Sequence, residues 1–136
     1  MKYKFGRVSL GRLDTCHPAL QYIMKEALSY GVMDFTIVEG HRPKEKQEEY
    51  YRTGKSKVQF PKGKHNKIPS LAVDIAPWIN GSISWNKFHC CILNGIILSA
   101  ASKLGIKLRW GGNWDMDEEP ITDQDFQDLV HYELVD

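Results

Sequence analysis

Apolar residues recur at helical spacing through residues 17–30, where Leu20, Ile23, Met24, Ala27 and Leu28 share a face and Gly31 follows as a stop. The segment DFTIVEG (34–40) is rich in β-branched and apolar residues and reads as a buried strand ending at Gly40. Pro43 suits a first helical turn, so residues 43–54 are expected as a polar helix ending near Gly54. Residues 55–70 are basic, contain Pro61, Gly63 and Pro69, and read as a loop. LAVDIAP (71–77) is a short strand broken by Pro77, followed by an Asn80-Gly81 turn. Residues 86–104 form a long helix, with Trp85, Phe88, Ile92, Ile96 and Leu104 among the apolar positions, and Gly105 ends it. IKLRW (106–110) is a further strand, residues 111–125 an acidic loop, and HYELV (131–135) a closing strand. Helices and strands mix without a βαβ rhythm. The expected class is α+β, a small antiparallel sheet with helices packed against it.

At 136 residues the chain has room for a single domain, 1–136, with one core. Its 18 basic and 17 acidic residues leave a net charge of +1, which argues against a nucleic-acid binder working through a basic face. No apolar run approaches the roughly 20 residues needed to span a bilayer, so membrane insertion is not expected. The N-terminal MKYKFGRVSLGRL has no continuous apolar stretch or small-residue cleavage site, so no signal peptide is expected. Cys16, Cys90 and Cys91 are an odd count with two adjacent, and read as buried thiols rather than a disulfide framework.

Asp74 stands in the middle of an apolar strand. Alternation puts it with Ala72 and Ala76 on the face opposite Leu71, Val73 and Ile75. A carboxylate there must be paired or bound to a metal, and a salt bridge explains it as well as an ion does. His65, in the loop nine residues earlier, is by itself a solvated histidine as readily as a ligand. His131 opens the last strand on the same face as Glu133, with Asp128 three residues before it. Two histidines and a carboxylate, with one position left for water, make a catalytic zinc set. In the acidic loop, Asn113, Asp115 and Asp117 alternate like positions 1, 3 and 5 of a Ca²⁺ loop. Glu118 stands where that loop needs glycine and Gln124 where it needs glutamate, so a solvated acidic loop is the competing reading.

KHNKIPSLAVDIAPW, followed far downstream by DLVHYEL, resembles the zinc peptidases that include D-alanyl-D-alanine carboxypeptidases and vancomycin-resistance dipeptidases. It is most similar to their phage branch, the L-alanyl-D-glutamate endolysins. The pattern S-x-H-x-x-G-x-A-x-D is matched by His65, Ala72 and Asp74, and the later carboxylate-x-x-H by Asp128 and His131. IVEGHR and LGIKLRWGGNW extend the likeness over residues 34–134. Three features depart from it. His65 and Asp74 are nine apart instead of seven, Ile68-Pro69-Ser70 replaces the intervening glycine, and Gly63 replaces the serine. Loop insertions of this size cost little.

The resemblance implies a zinc site at the sheet, with His65, Asp74 and His131 as ligands. It implies Asp128 as the acid-base residue and Arg42 as the donor to the developing oxyanion, while alternation, which puts Glu133 on the His131 face, makes Glu133 the rival base. Trp110 and Trp114, flanking the double glycine, would wall the substrate cleft. The implied substrate is the peptidoglycan stem peptide, cut at L-alanyl-D-glutamate. Removal of terminal D-alanine by a carboxypeptidase, or a non-catalytic wall-binding or virion-associated module, are the alternatives. A monomeric phage lysin made in the host cytoplasm would reach periplasmic peptidoglycan after holin-type release.

Overall fold

The structure, a computed structural model, describes residues 2–119 and 128–136. Four helices, α1 (Arg7–Leu13), α2 (Pro18–Ser29), α3 (Lys44–Arg52) and α4 (Lys87–Lys103), accompany five strands. The strands are β1 (Phe35–Glu39), β2 (Ala72–Ile79), β3 (Ser82–Ile83), β4 (Leu108–Gly111) and β5 (Asp128–Leu134). They form an antiparallel sheet in the order β1-β2-β5-β4, and β3 folds back on the end of β2. The α+β expectation holds. The acidic loop placed at 111–125 falls partly on residues 120–127, outside the described residues.

One face of the sheet carries the core. Phe35, Ile37, Val73, Ile75, Leu108, Trp110 and Tyr132 meet Leu20, Ile23 and Met24 of α2 and Leu93, Ile97 and Ala100 of α4. Each such side chain, taken fully out of water, contributes roughly 1.5–3 kcal/mol. β2 is buried on both faces, so its even-numbered residues Ala72, Asp74 and Ala76 look away from the helices into a second, polar interior.

The structure corrects or extends the sequence reading at four places. Pro77 does not break β2, which runs on to Ile79. Pro77 opposes Phe35 at the end of the β1 pairing, where no amide is needed from it. Helix α1 has no counterpart among the expected elements, because its inward residues are Ser9 and Leu13 while Val8 and Leu10 are exposed. Its polar contacts explain its place. The Ile37 amide donates to Ser9 Oγ (3.1 Å) and Arg12 donates to the Ile37 carbonyl (3.0 Å), covering the outer edge of β1. The core face of α4 is Cys90, Leu93, Ile97, Ala100 and Ala101. Trp85, Phe88, Ile92 and Leu104 are exposed, and Ile96 is half-buried against the core. Finally, the last strand begins at Asp128, three residues before the expected start.

Two register shifts shape the polar face of the sheet. Ile37 pairs with Ile75 but Glu39 pairs with Asp74, so a bulge at Val38 turns Glu39 from the core face to the polar one. Trp110 pairs with Tyr132 but Gly111 pairs with Asp128, so three residues of β5 bulge out. Strict alternation would put Asp128 and His131 on opposite faces, and the bulge removes that constraint. A Cβ on Gly111 would overlap the Asp128 carbonyl oxygen, so the backbones can approach there only without a side chain. Gly111→Ala should lower stability in urea unfolding by about 1–3 kcal/mol. An unchanged midpoint would show that this close approach is not needed.

Candidate metal centre and cleft

Strand pairing assembles the centre. Glu39, Asp74 and His131 are cross-strand neighbours on β1, β2 and β5, and Glu133 lies opposite Ala72 one step along the same face. His65 arrives from outside the sheet, on a single 3₁₀ turn (Lys64–Asn66). That turn is tied down by the Arg42 amide donating to the His65 carbonyl (2.8 Å) and the Leu71 amide donating to the Lys64 carbonyl (3.0 Å). The nine-residue spacing therefore still brings His65 to Asp74.

Each imidazole has one nitrogen assigned by a partner that can only accept. His65 Nδ1 lies 2.7 Å from the Gly40 carbonyl and must donate to it, leaving Nε2 with a lone pair. His131 Nε2 lies 2.8 Å from Glu133 Oε1 and donates to it, leaving Nδ1 with a lone pair. Those two nitrogens and Asp74 Oδ1 form a triangle. His65 Nε2 to Asp74 Oδ1 is 3.1 Å, His131 Nδ1 to Asp74 Oδ1 is 3.1 Å, and His65 Nε2 to His131 Nδ1 is 3.3 Å. Three acceptors facing one another, all buried, favour a cation between them. Bonds of about 2.0–2.1 Å to a tetrahedral ion would separate its ligand atoms by about 3.3–3.4 Å, close to this triangle. The three residues could hold a metal ion.

The electrostatics agree. Burial opposes charge on Asp74, but the two imidazoles outweigh it and hold the carboxyl well below the usual range. Burial likewise opposes an imidazolium at His131, yet the hydrogen bonds to Asp74 and Glu133 lift it to about 9. In the absence of a metal, a proton thus occupies the same convergence. Glu133 is brought down to about 2 against its burial by His131 and Arg109. Its Oε2 accepts from Arg109 (3.0 Å) and lies 3.6 Å from Lys64 Nζ. Glu133 is thus an orienting group on the far side of His131. Asp128 lines the same cleft, and its carboxyl is raised, first by burial and then by the negative charge of Asp74.

The centre opens into a cleft of about 460 Å³. Arg42 is buried in its wall. It donates to Glu39 Oε1 (2.6 and 3.0 Å) and to Gln47 Oε1 (3.0 Å), and lies 3.6 Å from Asp74 Oδ2. Trp114 stacks at a tilt on His131, with centroids 5.3 Å apart, and also lines the cleft. Trp110 does not wall the cleft. It is a core residue whose indole donates to the Leu129 carbonyl (2.9 Å). In the candidate calcium segment, Asn113 Oδ1 and Asp115 Oδ1 both accept from the Asp117 amide (3.2 and 3.3 Å). They serve the loop's own backbone, and the twelfth position, Gln124, lies outside the described residues.

Sequence reading missed Glu39 and Gln47. Glu39 carried a signal, a carboxylate within an apolar strand, of the kind that drew attention to Asp74. Gln47 carried none, because a glutamine in a polar helix is ordinary. It is nevertheless 1% exposed. It accepts from Arg42 and Asn66 and donates to Ser56 and to the Val58 carbonyl.

The family model for phage L-alanyl-D-glutamate peptidases matches residues 1–135. The chain belongs to that family. The L-alanyl-D-glutamate peptidase of Escherichia phage T5 is 38% identical over 117 residues, covering 85% of this chain and 84% of that protein. The crystal structure of the Serratia marcescens L-Ala D-Glu endopeptidase ChiX superposes with a TM-score of 0.78 at 26% identity, over 98% of this chain and 91% of ChiX. For a peptidase of this family the orienting role of Glu133 has a measurable consequence. Glu133→Ala should weaken metal affinity about 10- to 100-fold in chelator competition. Unchanged affinity with abolished turnover would instead make Glu133 the base.

Proposed function

We propose that this chain is a zinc-dependent peptidoglycan peptidase that hydrolyses the L-alanyl-D-glutamate bond of cell-wall stem peptides. The observation that carries the reading is the convergence of His65 Nε2, His131 Nδ1 and Asp74 Oδ1 in one cleft that the half-buried Asp128 also lines. Zinc suits two imidazole nitrogens and one carboxylate oxygen, and when held there it polarises a carbonyl and lowers the pKa of water toward about 7.

The residues of the chain supply the rest. Asp128 takes a proton from the attacking water and passes it to the leaving amine. Its carboxyl lines the same cleft as the three candidate ligands, which puts a proton carrier beside the reacting centre. Arg42 faces the centre with its charge fixed by Glu39, and hydrogen-bonds the carbonyl oxygen as negative charge grows on it. Trp114 excludes water over His131 and offers the substrate a flat wall.

The same proposal covers a single catalytic domain acting as a monomer, and access to periplasmic wall after holin-type release. Membership of a phage peptidase family supports it. No described helix is long and apolar enough to cross a membrane. Calcium has no support beyond the spacing of Asn113, Asp115 and Asp117.

Digestion of purified peptidoglycan should expose a new glutamyl amino terminus, identified by mass spectrometry. Release of free D-alanine instead would overturn the assignment. Stripping the metal should abolish cleavage and zinc should restore it. Asp128→Asn should lower kcat by about 10²–10⁴-fold at unchanged zinc content. A variant that kept its turnover would exclude Asp128 as the proton carrier.

A further inference from the structure

Asp74, Asp128 and Glu133 line the cleft, and Arg42, Lys55 and Lys64 are among its cations. Most of these cations already have anionic or carbonyl partners. Arg42 is held by Glu39, and Lys64 lies near Glu133 and donates to the Leu134 carbonyl. Among the described residues, Lys55 has no carboxylate within ion-pair distance. Its ammonium lies 5.4 Å from the centroid of the Tyr50 ring, which Arg42 approaches at 4.6 Å. An exposed lysine would ordinarily be ignored, but its backbone neighbours are fixed. The Ser56 amide donates to the Tyr50 carbonyl (3.1 Å), and the buried Gln47 amide holds Ser56 Oγ (3.1 Å) and the Val58 carbonyl (2.6 Å). The loop is therefore a built wall of the cleft, pinned to the helix that also orients Arg42.

A glutamyl residue joined through its amine and one carboxyl keeps a second, free carboxylate. Placed at the Tyr50–Lys55 wall, that carboxylate would be attracted by an ammonium with no carboxylate of its own within ion-pair distance among the described residues. We propose that Lys55, lying over Tyr50 in the Gln47-pinned wall, forms an anion subsite that reads the free carboxylate of the substrate's glutamyl residue. This deepens the peptidase reading and rests on it. The subsite sets specificity, and Lys55 has no part in the proton transfers.

Two synthetic stem peptides test it, identical except that the free glutamyl carboxylate of one is a carboxamide in the other. Zinc-loaded wild type should cut the carboxylate peptide with kcat/KM about three- to tenfold higher, the difference lying mainly in KM. In Lys55→Met the ratio should fall toward one, and in Lys55→Arg it should be kept. Zinc content and the circular dichroism spectrum check that each variant is folded and loaded. Equal cleavage of both peptides by wild type, or a preference that persists in Lys55→Met, would overturn the subsite alone. Failure of loaded wild type to cut either peptide at the alanyl-glutamyl bond would overturn the peptidase reading beneath it.

Discussion

A buried carboxylate facing two imidazole nitrogens, each with its proton pinned on the opposite side of the ring, favours positive charge between them. Gly40 and Glu133 impose that condition on His65 and His131. Neither partner touches the convergence, yet together they decide that it attracts a cation. Rotating either ring would take its lone pair out of the convergence. Metal capacity here is therefore a property of five groups rather than three, and two of them come from a strand end and a loop carbonyl.

The sheet makes this arrangement by breaking its own alternation twice. A regular β1 would send Glu39 into the apolar core beside Ile37, where a carboxylate has no partner. The bulge at Val38 sends it beside Asp74 instead, where Arg42 and Lys46 neutralise it. A regular β5 would separate Asp128 from His131, and the three-residue bulge opposite Gly111 brings both to one cleft. Bulges disrupt ladder hydrogen bonds, and both of these lie at the ends of strand pairings, where the disruption costs least.

The elements built on hydrophobic periodicity were legible in sequence, as α2, β1 and the core of β2 show. So was the centre, because Asp74 violates its apolar strand and the residue types on either side fit a known motif. The core face of α4 was not legible, for a physical reason. The helix is apolar around most of its circumference, so Phe88 and Ile92 look as good as Leu93 and Ile97 until the sheet chooses a side. Helix α1 was invisible because it docks through Ser9 and Arg12 onto backbone groups. Trp110 was placed by proximity to the glycines, yet strand alternation sends it inward with Leu108. None of the bulges could be read from the chain, since a register shift belongs to a pair of strands.

Gln47 shows how far the centre reaches into the rest of the molecule. Its carboxamide uses both faces. The oxygen accepts from Arg42 and from Asn66, the neighbour of His65, while the nitrogen donates to Ser56 and Val58. One side chain therefore fixes the guanidinium that faces the centre, the turn that carries a ligand, and the loop that walls the cleft. Each bond alone contributes about 0.5–1.5 kcal/mol, but a buried amide that lost some of its partners would be left with unsatisfied groups costing about 1–3 kcal/mol each. The three parts must consequently move together or not at all. That mechanical coupling, rather than any one contact, keeps the substrate wall in register with the chemistry beside it.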